Sequence, residues 1–122
     1  MTGVQVKPEL TEKEKEKILK EVYHIIQKIQ QQSKDIKEAK KVVGVAAPAL
    51  AYLKGHSIAE LEALLERGHP STASNRYWQS LREVLMPVLQ GLREQFSEGE
   101  RQRVAVLYLL GWLRRAGLGL LG

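Results

Sequence analysis

Residues 104–113 read VAVLYLLGWL and are followed by Arg114 and Arg115. Every position in this run is apolar or glycine, so the helix that we expect from Glu98 to Ala116 must be covered on more than one side. The run is far shorter than the roughly 20 residues that a membrane-spanning helix needs. A small chain has limited material for covering such a helix, so we predict that a protein partner covers part of it. The side chains assigned to that interface are Leu107, Leu110, Trp112 and Leu113.

Helix-start signals divide the rest of the chain. A capping box pairs Ser, Thr or Asp at the N-cap with a Glu three residues later, and each side chain satisfies a backbone N–H that is otherwise unpaired. Each box precedes apolar residues spaced three and four apart, the pattern of an amphipathic helix. The pairs are Thr11 with Glu14, Asp35 with Glu38, Ser57 with Glu60, and Ser97 with Glu100.

The earlier helices are bounded by these signals and by turn-forming residues. Pro48 removes a backbone donor and is expected to kink or split the second helix, whose apolar stripe begins at Ile36; Pro87 is a second expected kink. Residues 68–75, GHPSTASN, are dense in turn formers and form the one clear loop. The predicted helices are, in chain order, Glu12–Gln32, Ile36–Lys54, Ile58–Arg67 and Arg76–Phe96.

These patterns predict an all-α fold, a compact bundle of five to six helices in a single domain. The bundle is expected over residues 11–116, with flexible ends at 1–10 and 117–122. A chain of 122 residues, 43% hydrophobic and 27% charged, has the length and composition for one globular core.

Motifs that would indicate catalysis, a metal or a cofactor are missing from the sequence. The absence of cysteine excludes disulfides, zinc thiolate sites and cysteine nucleophiles. His24, His56 and His69 lie on three different segments and lack the spacing of metal ligands. The glycines at 117, 119 and 122 match G-x-G-x-x-G, but the strand and the following helix of a dinucleotide site are missing. We therefore expect a protein that is not an enzyme and has no metal or cofactor.

The first residues lead directly into Lys and Glu, without the apolar segment of a secretory signal. We therefore expect a cytoplasmic protein.

Positive charge is concentrated at the two ends of the chain. The net charge is +5 and the isoelectric point about 9.6. Residues 1–41 carry ten Lys against seven acids, residues 42–70 two bases against three acids, and residues 71–122 seven Arg against four acids. Such a balance favours nucleic acid or another polyanion as a partner.

A lysine ridge is expected along the second helix, where Lys34, Lys37 and Lys41 fall together on a helical wheel with Lys40 at their flank. In the fourth helix Arg76 stands beside Tyr77 and Trp78, and Arg with aromatic neighbours can hold phosphates and stack on bases. Arg82 and Arg93 share a face of the same helix. Arg114 and Arg115 either contact phosphates or complement the C-terminal helix dipole. The alternative for the whole set is that these charges only aid solubility and that Trp78 is packed inside.

Three segments resemble the small helical subunit of type III CRISPR effector complexes, in the same order as in that family. The first is KKVVGVAAPALAYLKG, residues 40–55; the second is the pattern Tyr77-x4-Arg82-Glu83-x-Leu85; and the third is LLGWLRRAG, residues 109–117. The resemblance implies a non-catalytic subunit that stacks on copies of itself and lines the path of the guide RNA and target strand. It also implies phosphate contacts at Lys40, Lys41, Lys54, Arg82, Arg114 and Arg115.

The predicted function is sequence-independent binding of RNA or another single strand by a subunit of a ribonucleoprotein, with other protein subunits as partners. The residues expected to bind nucleic acid are Lys34, Lys37, Lys40, Lys41, Lys54, Arg76, Arg82, Arg93, Arg114 and Arg115. The alternative is a protein-only interaction module, such as an adaptor or an antidote, that binds its partner through the apolar C-terminal helix.

Overall fold

The computed structural model describes residues 9–67, 72–96 and 99–121, with only the backbone described at 72–75 and 120–121. Every regular element in these ranges is an α-helix, which confirms the predicted all-α bundle in a single domain. The helices are α1 (Glu12–Gln32), α2 (Ile36–Gly44), α3 (Ala46–Gly55), α4 (Ile58–Arg67), α5 (Thr72–Gln95) and α6 (Gly99–Leu121). Across the described ranges, no helix combines the length and apolar character needed to span a membrane.

Two of the predicted capping boxes form completely. At the start of α1 the Thr11 N–H donates to Glu14 at 2.8 Å and the Glu14 N–H donates to the Thr11 hydroxyl at 3.1 Å. Ser57 and Glu60 form the same reciprocal pair before α4, at 3.0 and 3.1 Å. These bonds satisfy donors that every helix start leaves unpaired, which is why the predicted starts of α1 and α4 are correct.

The Asp35 box is half formed. The Glu38 N–H donates to the Asp35 carboxylate at 2.9 Å, but the Glu38 carboxylate accepts from the N–H of Lys34 instead of Asp35. The fourth box involves Ser97, which lies outside the described residues.

The second predicted helix is split in two, as the proline indicated. Val45 joins α2 to α3, and its N–H donates to the carbonyls of Val42 and Val43. Pro48 is the third residue of α3, where a backbone N–H has no partner within the helix in any case. The proline therefore costs α3 no hydrogen bond, and the break between the helices lies at Val45, three residues before it. By contrast, α5 continues through Pro87.

Three boundary predictions are wrong. Residues 72–75 are helical instead of part of a loop, and α6 continues past Ala116 to Leu121 instead of ending in a tail. Leu10, which we placed in a flexible end, is buried. Ser, Thr and Gly have low intrinsic helix propensity, and tertiary packing commonly overrides so weak a preference. The rest of the predicted loop, residues 68–71, and the predicted end at 1–8 lie outside the described residues.

Helix α6 lies at the centre of the bundle and contacts α1, α2, α3 and α5. The apolar run therefore receives most of its cover from the same chain. The prediction that Leu110 and Leu113 face a partner is wrong, because both are completely buried, whereas Leu107 is half-buried and Trp112 is exposed. Among the α6 side chains that the structure describes, those fully buried are Ala105, Val106, Leu109, Leu110 and Leu113.

The remaining core side chains come from the apolar stripes of the other helices. In α1 these are Ile18, Val22, Ile25, Ile26 and Ile29, all of them at spacings of three and four. Ile36 departs from the prediction and is 62% exposed. As the first residue of α2, it lies beyond the part of that helix that packs on the core.

Polar side chains at the start of α6 bind the ends of other helices. The Arg103 guanidinium donates to the carbonyls of His56 at 2.7 Å, Lys54 at 3.0 Å and Leu53. These carbonyls lie at the C-terminal end of α3, where the helix runs out of backbone N–H partners, although the Leu53 carbonyl also accepts from the His56 N–H at 3.4 Å. A cation there is also favoured by the helix dipole. Arg103 thus fixes the end of α3 against the beginning of α6.

Arg101 and Gln102 make equivalent connections. Arg101 forms an ion pair with Glu14 in the first turn of α1 and lies over the Phe96 ring. The Gln102 amide donates to the carbonyls of Arg93 and Phe96 at the end of α5. Consecutive residues of one helix turn therefore connect α6 to α1, α3 and α5.

Helices α2 and α6 approach closely at Gly117. A methyl group at position 117 would lie 2.2 Å from Cγ1 of Val43, a side chain that is completely buried. Glycine at this position allows the two helices to touch, because any other residue would force Val43 or the backbone to move. The glycine that resembled part of a flexible tail is therefore a packing residue.

We predict that Gly117→Ala lowers the free energy of unfolding by about 1–3 kcal/mol, the usual cost of overpacking a core. Gly111→Ala is the matched control, since nothing lies within 4 Å of the added methyl group. It should raise stability by about 0.5–1 kcal/mol through helix propensity. Urea unfolding followed by circular dichroism measures both. Equal effects of the two substitutions would contradict the close approach at Gly117.

Candidate nucleic-acid interface

The lysine ridge lies on the exposed side of α2 and just before it. Lys37 and Lys41 are exposed and Lys40 is half-buried, while Ala39 on the opposite side is buried. Lys34 is also exposed, but it precedes the N-cap and so lies outside the helix. The predicted ridge therefore consists of three helical lysines and one that extends it at the N-terminal end.

The first residues of α5 meet this ridge at Tyr77. The ammonium group of Lys41 lies 5.7 Å from the centre of the Tyr77 ring, and the guanidinium of Arg76 lies 5.0 Å from it. Arg76 also donates a hydrogen bond to the Tyr77 hydroxyl at 3.0 Å. The lysine ridge and the Arg76–Tyr77 pair are thus parts of one surface, although Lys41 and Arg76 are 35 positions apart in the sequence. We call Lys41, Arg76 and Tyr77 the α2–α5 cluster.

Packing of its ring holds Tyr77 in place. The ring packs against the hydrophobic core, while the hydroxyl reaches the surface. Its neighbour Trp78 is 2% exposed, so Trp78 packs inside, as one part of the alternative interpretation predicted, and Tyr77 is the aromatic neighbour of Arg76 that reaches the surface. Adjacent residues on a helix point in different directions, which is why one aromatic faces the core and the other its edge.

The electrostatics of the cluster favour negative charge. The pKa of the Tyr77 phenol is lowered, first because Arg76 donates a hydrogen bond to it and further because Lys41 lies nearby. The pKa of Arg76 is raised, chiefly by the same hydrogen bond, with a smaller contribution from Glu38. A phenol that accepts from Arg76 still has its own proton to donate. The cluster can therefore present an ammonium, a guanidinium and a hydroxyl to one phosphate group.

Arg82 and Arg93 have acidic neighbours instead. Arg93 forms an ion pair with Glu62 of α4, and Arg82 borders a shallow depression together with Glu66 and Glu83. These carboxylates offset the positive charge that a phosphate contact requires. The structure therefore gives no support to Arg93 as a phosphate ligand and places Arg82 on a surface of mixed charge.

Arg114 and Arg115 belong to a different part of the surface. Both line a groove between α3 and α6, and Arg115 lies 5.7 Å from the centre of the Trp112 ring. Lys54 is exposed near the end of α3, one helical turn beyond Leu50, which also lines this groove. Arg114 and Arg115 thus lie beside exposed apolar side chains, whereas Lys54 is not a lining residue of the groove.

Sequence reasoning missed the polar contacts of Arg101, Gln102 and Arg103. The partner of Arg101 is 87 positions away, that of Gln102 up to 9 and that of Arg103 up to 50. In the sequence, three polar residues before an apolar run resemble an ordinary helix start that faces water. It also missed that Tyr77 joins the two basic regions, although a tyrosine between an arginine and an apolar stripe was a usable signal.

Other kinds of site find little support in the described residues. No group of three or more His, Asp or Glu side chains there is arranged to hold a metal ion, and no polar or charged side chain is buried. No protein-family model matches the chain, and comparisons with curated proteins and with solved structures give no significant match.

The contacts of Tyr77 lead to a prediction about its titration. Because Arg76 and Lys41 stabilise the phenolate, the pKa of Tyr77 should lie below the ordinary tyrosine pKa of about 10. Phenolate absorbance measured as the pH is raised should show this step, and Tyr77→Phe should remove it.

Arg76→Gln should move the step to higher pH. Arg82→Gln removes the same charge from the same helix and is the matched control, which should leave the step in place. A titration that is the same in the protein and in Arg76→Gln would show that the hydrogen bond is absent in solution.

Proposed function

We propose that the protein is a non-catalytic subunit that binds the backbone of single-stranded nucleic acid, RNA in particular, through α2 and the start of α5. The observation that carries this proposal is the α2–α5 cluster, in which a lysine and an arginine from distant parts of the chain share one tyrosine. Lys34 and Lys37 extend the positive surface along α2, with Lys40 at its flank.

The binding energy comes from charge. Lysines and arginines along a nucleic-acid strand replace condensed counterions, and release of those ions makes the affinity depend steeply on salt. Exposed aromatic platforms and groove-reading elements recognise bases, and the cluster offers neither, because both cations already lie over the Tyr77 ring. The protein therefore binds many sequences with similar affinity.

We further propose that the nucleic acid is the guide RNA or target strand of a type III CRISPR effector complex. The support is the resemblance of three segments to the small helical subunit of those complexes. In the structure the first segment supplies Lys41 and the second supplies Tyr77, which lie together. The third touches the first where Gly117 meets Val43. The resembling segments thus form one continuous region of the molecule.

Binding to a generic single-stranded RNA at several salt concentrations tests the first proposal. In the triple variant Lys37→Gln, Lys41→Gln, Arg76→Gln, we expect weaker binding and a less steep salt dependence. The slope of log K against log salt should fall by about 1.4, because Lys41 and Arg76 share one phosphate and Lys37 contacts a second, and each phosphate contact to a single strand contributes about 0.7. The three side chains are exposed, so the fold should be retained, which circular dichroism checks.

The matched control is Lys13→Gln, Lys15→Gln, Lys17→Gln in α1, which removes the same number of charges. There the lysines alternate with glutamates, and Lys15 already lies 3.6 Å from the Glu12 carboxylate. Its binding should stay close to that of the parent protein. Equal losses in the two triple variants, or no RNA binding by the parent protein, would refute the proposed surface.

Purification of the tagged protein from its own host tests the CRISPR assignment. Sequencing of the co-purified RNA should give short guides that share a repeat-derived end. A random sample of cellular RNA would exclude a CRISPR complex while leaving the backbone-binding proposal intact.

A further inference from the structure

The groove between α3 and α6 combines an apolar floor with a positive rim. It encloses about 530 Å³ and is lined by Leu50, Leu107, Tyr108, Gly111, Trp112, Arg114, Arg115 and Leu118. Four large apolar side chains are exposed among the described residues, and two of them, Trp112 at 37% and Leu118 at 54%, lie here. Exposed apolar side chains that share one concave surface are typical of a binding site.

The shape of the groove follows from how the two helices run. Arg103, near the start of α6, binds the end of α3, so the helices lie antiparallel and side by side. Gly111 leaves open space above the floor, as nothing lies within 4 Å of where its side chain would begin. The Tyr108 and Trp112 rings, with centres 6.3 Å apart and planes inclined by 56°, form one wall.

The described charges of the groove have one sign. Arg114 and Arg115 are the charged lining residues, and no carboxylate lies among the lining residues that the structure describes. Lys54 lies at the other end of α3, where its carbonyl accepts from Arg103, and is not part of this rim. A ligand that is apolar on one side and acidic at its edges therefore matches both the floor and the rim.

We propose that this groove binds an acidic amphipathic helix of a partner protein. Two antiparallel helices present a furrow into which a third helix packs with apolar residues at i, i+3, i+4 and i+7. Glutamates or aspartates flanking that stripe pair with Arg114 and Arg115. This partner site is separate from the α2–α5 cluster, and the inference does not depend on nucleic-acid binding.

A nucleic-acid strand fits the groove less well than a helix does. A phosphate held by Arg114 or Arg115 would lie beside Leu50, Leu107 and Leu118, which offer it no hydrogen bond and reduce its hydration. Apolar side chains of a protein helix are instead stabilised by the same surroundings. The Trp112 ring also has the Arg115 guanidinium near it, which limits its use as a platform for bases.

The test uses two fluorescent helical peptides of about 15 residues, identical in their apolar stripe and carrying either Glu or Lys at its edges. Anisotropy measures their binding to the full-length protein. The Glu peptide should bind at least about tenfold more tightly than the Lys peptide. In the double variant Arg114→Glu, Arg115→Glu the order should invert, because the rim then attracts lysine.

Trp112→Gln should weaken binding of the preferred peptide by about tenfold or more. Tyr23→Gln is the matched control, since Tyr23 is a large exposed side chain, 50% accessible, on α1 and outside the groove. It should leave binding unchanged. Circular dichroism of each variant confirms that the fold is retained, and the inversion of charge preference cannot result from unfolding.

Three results would overturn the proposal. The first is equal affinity for the two peptides, or a preference that the double variant does not invert. The second is self-association in sedimentation experiments that Trp112→Gln abolishes, which would make a second copy of the chain the occupant. The third concerns the double variant Lys41→Gln, Arg76→Gln, in which the α2–α5 cluster is disabled. If single-stranded RNA displaces the Glu peptide from this variant, the groove is a site for nucleic acid.

Discussion

The rest of the structure depends on covering a helix that is apolar on all its sides. The central residues of α6 cannot face water on any side without a cost of about 25 cal/mol for each Å² of apolar surface left exposed. Helices α1, α2, α3 and α5 each lay an apolar stripe against it, and Leu109, Leu110 and Leu113 have no exposed surface. The other helices are arranged around α6 because its central residues have no polar face.

Polar contacts at the start of α6 fix its register against the neighbouring helices. Burial of apolar surface is non-directional, so burial alone would allow α6 to shift along its axis by one turn. Arg103 at the end of α3, Gln102 at the end of α5 and Arg101 beside Glu14 each fit one register. At the other end Gly117 admits Val43 and fixes the approach of α2. These contacts determine which surface residues of neighbouring helices come together.

The two functional surfaces follow from that arrangement. Because α2 and α5 both pack in fixed positions, Lys41 reaches the Tyr77 ring and joins Arg76 there. Because α3 runs antiparallel to α6, the part of the apolar run that no other helix covers becomes the floor of a groove, with Arg114 and Arg115 at its rim. The first surface presents cations around one tyrosine and suits a phosphate backbone. The second is apolar with charged edges and suits an amphipathic helix.

The sequence by itself determined where the helices form and which face of each one is buried. Thr11 with Glu14, Ser57 with Glu60 and the spacing of Ile18 to Ile29 are local signals, and the bonds and stripes they predict are present. Only the tertiary structure decided what surrounds α6 and which charges are available. Leu110 resembled an interface residue, but it is completely buried in a helix that four others contact. Arg93 resembled a phosphate ligand, but Glu62 pairs with it. Helix formation is governed by neighbours three and four positions away, whereas covering a helix or neutralising a charge involves residues from distant parts of the chain, whose meeting depends on packing.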